Sequence, residues 1–152
     1  MRTKTDHRFI IDIGPEQVME ALLAVERIPD WSPWHRDVRL ATCDEYGRPK
    51  RVYATVSPVG HSDRQVLEYD CTADRIAWRV VESGAGSGGQ GWFEIEQSTE
   101  GTEVWYHSEI STPIPIPGIL YKRGIARANE EAVQNLIEFI EKFQYGENYS
   151  AE

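Results

Sequence analysis

Ser111-Thr112-Pro113-Ile114-Pro115-Ile116-Pro117-Gly118 leads into one long amphipathic segment that ends near Phe143. Each proline fixes φ and lacks an N–H, so the approach is stiff and extended. A helix opens at Gly118. Its stripe is Ile125, Asn129, Ala132 with Val133, Leu136, Ile140 and Phe143, at steps of three and four that share one face. Glu130, Glu131, Gln134, Glu138 and Glu141 take the other face. Such a helix spans about 39 Å at about 1.5 Å per residue, enough to cross a sheet diagonally. Residues 48–110 before it read as strands. One long helix cannot fill the concave side of one large sheet with its own side chains, so the pattern implies a hollow.

The strands follow from alternation and from turn residues. Residues 5–13 read as the first strand, with Phe9, Ile11 and Ile13 alternating with Arg8, Ile10 and Asp12. Gly14-Pro15 starts a helix, because a first-turn N–H has no partner to lose, and Val18, Ala21, Leu22 and Val25 form its stripe. Ile28-Pro29-Asp30-Trp31 begins a second short helix or turn that ends near Trp34. Six further strands follow, at 38–43, 51–57, 65–71, 75–82, 91–97 and 102–110. They are separated by Asp44-Glu45-Tyr46-Gly47, Pro58-Val59-Gly60, Thr72-Ala73-Asp74, the glycine-rich 83–91 and Glu100-Gly101. Residues 1–146 are expected to form a single domain, with 147–152 a disordered tail.

With 152 residues the chain is long enough for a real core. Its net charge of −9 repels a phosphate backbone, so nucleic acid is a poor partner. There is no polybasic run for an anionic membrane, no apolar run near the roughly 20 residues of a membrane span, and no apolar signal core at the start. A cytoplasmic protein is expected. Cys43 and Cys71 make no disulfide framework, and His7, His35, His61 and His107 make no zinc pattern. Neither a metal nor a cofactor is expected.

Five pieces carry a family resemblance across nearly the whole length: Ile28-Pro29-Asp30-Trp31, Arg75-Ile76-Ala77-Trp78-Arg79-Val80, Gly91-Trp92-Phe93-Glu94-Ile95, Gly101-Thr102-Glu103-Val104 and Pro115-Ile116-Pro117-Gly118. In this order they resemble the START/Bet v 1-like (SRPBCC) superfamily, and within it the small bacterial proteins of the polyketide cyclase/dehydrase and lipid transport type. The resemblance implies an α+β helix-grip fold. Seven antiparallel strands would wrap a long C-terminal helix, with two short helices after strand 1 and a ligand cavity inside. It says little about function, because this superfold hosts carriers, sensors and enzymes.

Alternation then assigns the cavity wall. Ile76, Trp78, Val80, Phe93, Ile95, Val104, Tyr106 and Ser108 should face the helix, capped by Ile125, Asn129 and Val133; the competing reading is a solid core. Asn129 either binds a ligand oxygen or bonds a strand or solvent. Trp31 and Trp34 either form a lip at the cavity mouth or plug the space between helices, and Pro115 and Pro117 stiffen a candidate gate. His107 and Glu109 share the opposite face, where a solvated outer surface is expected. Trp92 and Trp105, side by side on that face, would form an exposed apolar patch suited to a homodimer contact. The glycine-rich 83–91 lacks the lysine and the following helix of a phosphate loop, and reads as a flexible connection. His35-Arg36-Asp37 is a weak metal pattern.

These readings favour binding or transport of a small hydrophobic or amphipathic ligand, lipid- or polyketide-like. Burial of about 200–400 Å² of ligand surface contributes about 5–10 kcal/mol gross, and association losses offset much of it. Tyr106, Ser108 and Asn129 would set orientation. A cavity below drug-sized volume, about 300 Å³, would count against the carrier reading. The alternatives are an aromatase/cyclase- or dehydrase-type enzyme, which needs an inward acid or base, and a protein-interaction module using the Trp92/Trp105 face. No catalytic residue is assigned.

Overall fold

A computed structural model describes residues 2–57, 62–113 and 118–143, with only the backbone of 118–122 and 125. Strand β1 (Arg2–Ile11) leads to helix α1 (Pro15–Leu23) and a 3₁₀ turn, Val25–Asp30. Six strands follow: β2 (His35–Cys43), β3 (Pro49–Val56), β4 (Asp63–Cys71), β5 (Arg75–Ser83), β6 (Gly88–Ser98) and β7 (Gly101–Ser111). Helix α2 (Gly118–Lys142) closes the chain. This is the helix-grip α+β arrangement expected from the sequence.

The sheet order is β1-β7-β6-β5-β4-β3-β2, antiparallel throughout. Strands β1 and β2 therefore lie at opposite edges, and α1 with the 3₁₀ turn bridges the gap between them. Pro15 occupies the first turn of α1, after an extended Gly14. Register shifts within β2–β3 and between Val66 and Leu67 add twist, which helps curl the sheet.

The core lies between the concave face and the helices. Val18, Val52, Ile76, Val104, Leu136 and Ile140 are fully enclosed. On α2, Asn129, Ala132, Val133, Leu136, Phe139 and Ile140 are buried, and Glu130, Glu131, Gln134, Glu138 and Glu141 are exposed, as the stripe requires.

Some expectations shift. Strand β1 starts at Arg2 and ends at Ile11 rather than spanning 5–13. The glycine-rich stretch is a loose connection only in part, because β6 already begins at Gly88 and pairs with β7. The rest is fastened by Asp63. Its carboxylate accepts hydrogen bonds from the Ala85 N–H (2.9 Å), Ser83 Oγ (2.6 Å) and Gln65 Nε2 (2.9 Å). Ser83 Oγ in turn accepts from the Ser87 N–H at 2.9 Å. Burial works to raise the Asp63 pKa, but these bonds outweigh it and hold the carboxyl below its ordinary value. Cys43 and Cys71 are free, one exposed and one half-buried. The turn at 58–60, Pro115, Pro117, the Ile125 side chain and the tail at 147–152 lie outside what is described.

Candidate functional site: a small aromatic cavity

Alternation along β4, β5, β6 and β7 sends Tyr69, Trp78, Phe93 and Tyr106 to the concave side, where strand pairing sets them next to one another. Ring centroids lie 6.1 Å apart for Tyr69–Trp78, 5.3 Å for Trp78–Phe93 and 4.6 Å for Phe93–Tyr106. Trp31 meets Phe93 edge-on at 6.5 Å. Such tilted and edge contacts suit the ring quadrupoles. Gly91 makes the wall possible: a Cβ there would sit 2.5 Å from Trp78 Cζ2, so the bare backbone lets the indole lie across β6.

Between this wall and α2 is a cavity of about 130 Å³. Trp78, Val80, Phe93, Tyr106, Ser108 and Asn129 border it, as do Trp31 and Trp34 at the other end of the expected set. Ile95, Val104 and Val133 do not. They are buried core residues, and α1 reaches β6 and β7, so solid packing takes part of the concave face. The space is well under the roughly 300 Å³ of a drug-sized pocket, which counts against carriage of a lipid- or polyketide-sized ligand; aromatic rings and the side chains of Leu22, Ile28 and Trp31 border it.

Polar residues also border the cavity, among them Gln65, Ser108, Asn129 and, against the expectation that it faces away, Glu109. Burial pushes the Tyr106 hydroxyl up to about 12, and a hydrogen bond with Ser108 only partly opposes this. Burial, with the nearby Cys71 and Tyr106, takes Tyr69 well above the ordinary phenol range. Both phenols stay protonated at neutral pH. Asn129 donates to Thr5 Oγ1 on β1 at 3.2 Å, so its amide nitrogen braces α2 against the sheet edge. Trp31 is buried, and its carbonyl accepts from Asn135 Nδ2 at 3.2 Å, so it plugs as well as lines.

Sequence reading missed Tyr69, Ser32 and His35, all of which border the cavity. Tyr69 was available from alternation with Leu67. Ser32 sits in an irregular turn after Trp31 and His35 is the first residue of β2, so no period assigns either a face. Their side chains pair, Ser32 Oγ to His35 Nδ1, at 2.7 Å. Burial lowers the His35 pKa to about 4, so the ring is neutral. Among the described residues no group of three or more His, Cys, Asp or Glu can hold a metal ion.

The convex face is not the solvated surface expected. His107 and Glu109 are each only 8 % exposed. His107 Nδ1 lies 2.7 Å from Asp6 Oδ1, and Nε2 lies 2.9 Å from Glu109 Oε2. Burial favours the neutral ring, but the bonds to Glu109 and Asp6 outweigh it and raise the His107 pKa. Trp92 stacks on His107 with centroids 4.1 Å apart and is covered by Arg75, while Arg8 covers Trp105. Trp92 pairs across the ladder with His107, and Trp105 with Glu94. The two indoles are therefore half-buried and offset, and form no exposed apolar patch.

The model of a family described as polyketide cyclase/dehydrase and lipid transport matches residues 2–141. Among solved structures, a START superfamily protein from Mycobacterium smegmatis aligns with a TM-score of 0.76 at 16 % identity, over 94 % of this chain and 99 % of that one. The Zhui aromatase/cyclase from a Streptomyces species aligns with a TM-score of 0.74 at 13 % identity, over 93 % and 95 %. A Thermus thermophilus protein aligns with a TM-score of 0.71 at 17 % identity, over 95 % and 100 %. At these identities the likeness is one of fold. No curated protein matches the chain in sequence. No helix among the described residues is long and apolar enough to cross a membrane.

Proposed function

Since the chain belongs to the polyketide cyclase/dehydrase and lipid transport family, we propose that residues 1–146 act as a cytoplasmic binding domain for a small, largely apolar aromatic ligand held between the sheet and α2. The observation that carries this reading is the cavity of about 130 Å³ walled by Tyr69, Trp78, Phe93 and Tyr106. An apolar cavity of about 150 Å³ takes a single benzene ring, so the occupant is of one-ring size rather than a whole lipid chain. Burying about 150–200 Å² of ring surface contributes about 4–5 kcal/mol. Taken alone that burial corresponds to a Kd of about 0.2–1 mM; association losses weaken it for a bare hydrocarbon ring and polar contacts tighten it.

Binding is favoured over acid–base catalysis by the state of the cavity groups. A general acid or base works best with a pKa near the working pH. Tyr106 is held at about 12 and His35 at about 4. Glu109 borders the cavity as well, but its carboxylate is bonded to His107 and ion-paired with Arg2, and both His107 ring nitrogens are engaged.

Calorimetric titration with toluene tests the reading. Saturable one-to-one binding, weakened by Phe93→Ala or by filling the space with Val80→Phe, is expected. Absence of saturable binding to toluene and to ethylbenzene contradicts it. Native mass spectrometry of the purified protein would show a co-purified ligand as an added mass lost on denaturation.

A further inference from the structure

Resting on the reading of the cavity as a ligand site, we propose that Trp78, seated on the bare backbone of Gly91, sets the upper size of the ligand: one aromatic ring is admitted and a fused two-ring system is excluded. Trp78 and Gly91 face each other across the β5–β6 ladder. A Cβ at position 91 would lie 2.5 Å from Trp78 Cζ2, 2.9 Å from Trp78 Cε2 and 2.5 Å from the His107 carbonyl oxygen. The indole therefore occupies the place that a side chain on residue 91 would take. From that seat it meets the three other rings of the wall, with centroids 6.1 Å from Tyr69, 5.3 Å from Phe93 and 6.1 Å from Tyr106.

Size is what this arrangement controls. The cavity is about 130 Å³, and a space of about 150 Å³ takes one benzene ring. A second fused ring has no room while the indole is in place. The indole is itself a fused two-ring group, so shortening it frees a space of that size. Position 91 has no side chain to fill the gap, and interiors relax only partly around a shortened side chain. The freed space therefore joins the cavity that Trp78 borders. Trp31 and Phe93 differ, because both are buried within the main core, whereas Trp78 is half-buried and packs against it. Trp78 can thus be shortened with less harm to the fold than they can. Polar residues at the border, such as Gln65 and Asn129, bear on the ligand's substituents and not on its ring number.

Phenol and 2-naphthol carry the same hydroxyl and differ by one fused ring. Calorimetric titration of both into the wild type and into Trp78→Val reads the size limit separately from polarity. In the wild type 2-naphthol should bind at least about tenfold more weakly than phenol, as overpacking requires. In Trp78→Val the order should reverse, with 2-naphthol about tenfold tighter, since a second ring buries about 60 Å² more apolar surface. Binding of 2-naphthol to the wild type as tight as that of phenol, or an unreversed order in the variant, overturns the size limit and leaves the binding reading standing. If neither phenol nor toluene binds the wild type, the cavity reading fails and this one with it. Two measurements cover the case in which Trp78→Val does not fold. Trp78→Phe keeps one ring on the seat, and should narrow the wild-type difference by at least about threefold. Nuclear Overhauser contacts should join bound phenol to the Trp78 indole protons in the wild type. An unchanged difference in Trp78→Phe, or the absence of those contacts, overturns the assignment.

Discussion

The two faces of the β6–β7 ribbon are built from alternate residues of the same strands, yet they behave oppositely. On the concave side Phe93 and Tyr106 are paired ring to ring and border empty space. One step along each strand, Trp92 and His107 are stacked, and both ring nitrogens of His107 are engaged, by Asp6 and Glu109. Burial is therefore no guide to function here. The convex imidazole and its two carboxylates satisfy one another, while the buried Trp92 Nε1 beside them meets no partner among the described residues. The concave groups instead border open space. What separates the faces is whether the neighbouring strand supplies the complementary group: β1 brings Asp6 to His107 on one side, and brings His7 opposite Tyr106 on the other.

Ways to break this contrast can be ordered by size. Leu136→Ala, at the fully enclosed packing between α2 and the sheet, should cost about 2–5 kcal/mol in chemical denaturation. It removes core shared by both faces. His107→Ala should come next, at about 2–3 kcal/mol, because it removes the shared partner of Asp6 and Glu109 and leaves Glu109 to Arg2 and Gln90.

The convex network also has a pH signature. The folded His107 pKa is raised, so its contribution is complete below the unfolded value of about 6.5. It is lost as pH rises through the folded value. Denaturation midpoints should therefore fall with rising pH across that window in the wild type, and this component should be absent in His107→Gln. A wild-type stability that does not change there would contradict the doubly bonded imidazole.

Asp63→Ala should cost about 1–3 kcal/mol, since it leaves the Ala85 N–H and Ser83 hydroxyl short of an acceptor. The sign reverses for this group. The Asp63 pKa is lowered, so its stabilisation is present above the unfolded value of about 3.9. It is lost as pH falls through the folded value. Hydrogen exchange should quicken at residues 84–88 in the variant. The smallest effect belongs to Tyr106→Phe, which keeps the ring wall. Stability should change by under about 1 kcal/mol, and toluene affinity by less than about threefold. A large loss of toluene binding would mean that the phenol, not the ring, makes the site.

How much of this could be read from the chain depends on the range of each interaction. The face of Phe93 against Trp92, and of Tyr106 against His107, follows from a period of two. The buried side of α2 follows from steps of three and four, apart from Phe139, which widens the stripe. Pro15 marks the start of α1 because its chemistry is local. Three features escaped. The burial of His107 depends on Asp6, about a hundred residues away and brought close only by the pairing of β1 with β7. Ser32 and His35 meet across an irregular turn with no period to assign them. The cavity's size depends on how the rings tilt, and on Gly91 leaving room for Trp78. One signal was nonetheless present: a serine and a histidine three apart, directly after Trp31.

The claim that the concave face is a ligand site and the convex face is not is tested most directly by aromatic-resonance NMR during a toluene titration. Saturable shifts confined to Trp31, Tyr69, Trp78, Phe93 and Tyr106, with Trp92, Trp105 and His107 unmoved, are the expected result. Shifts centred on Trp92 and Trp105, or no saturable shift at the concave rings, would contradict the account.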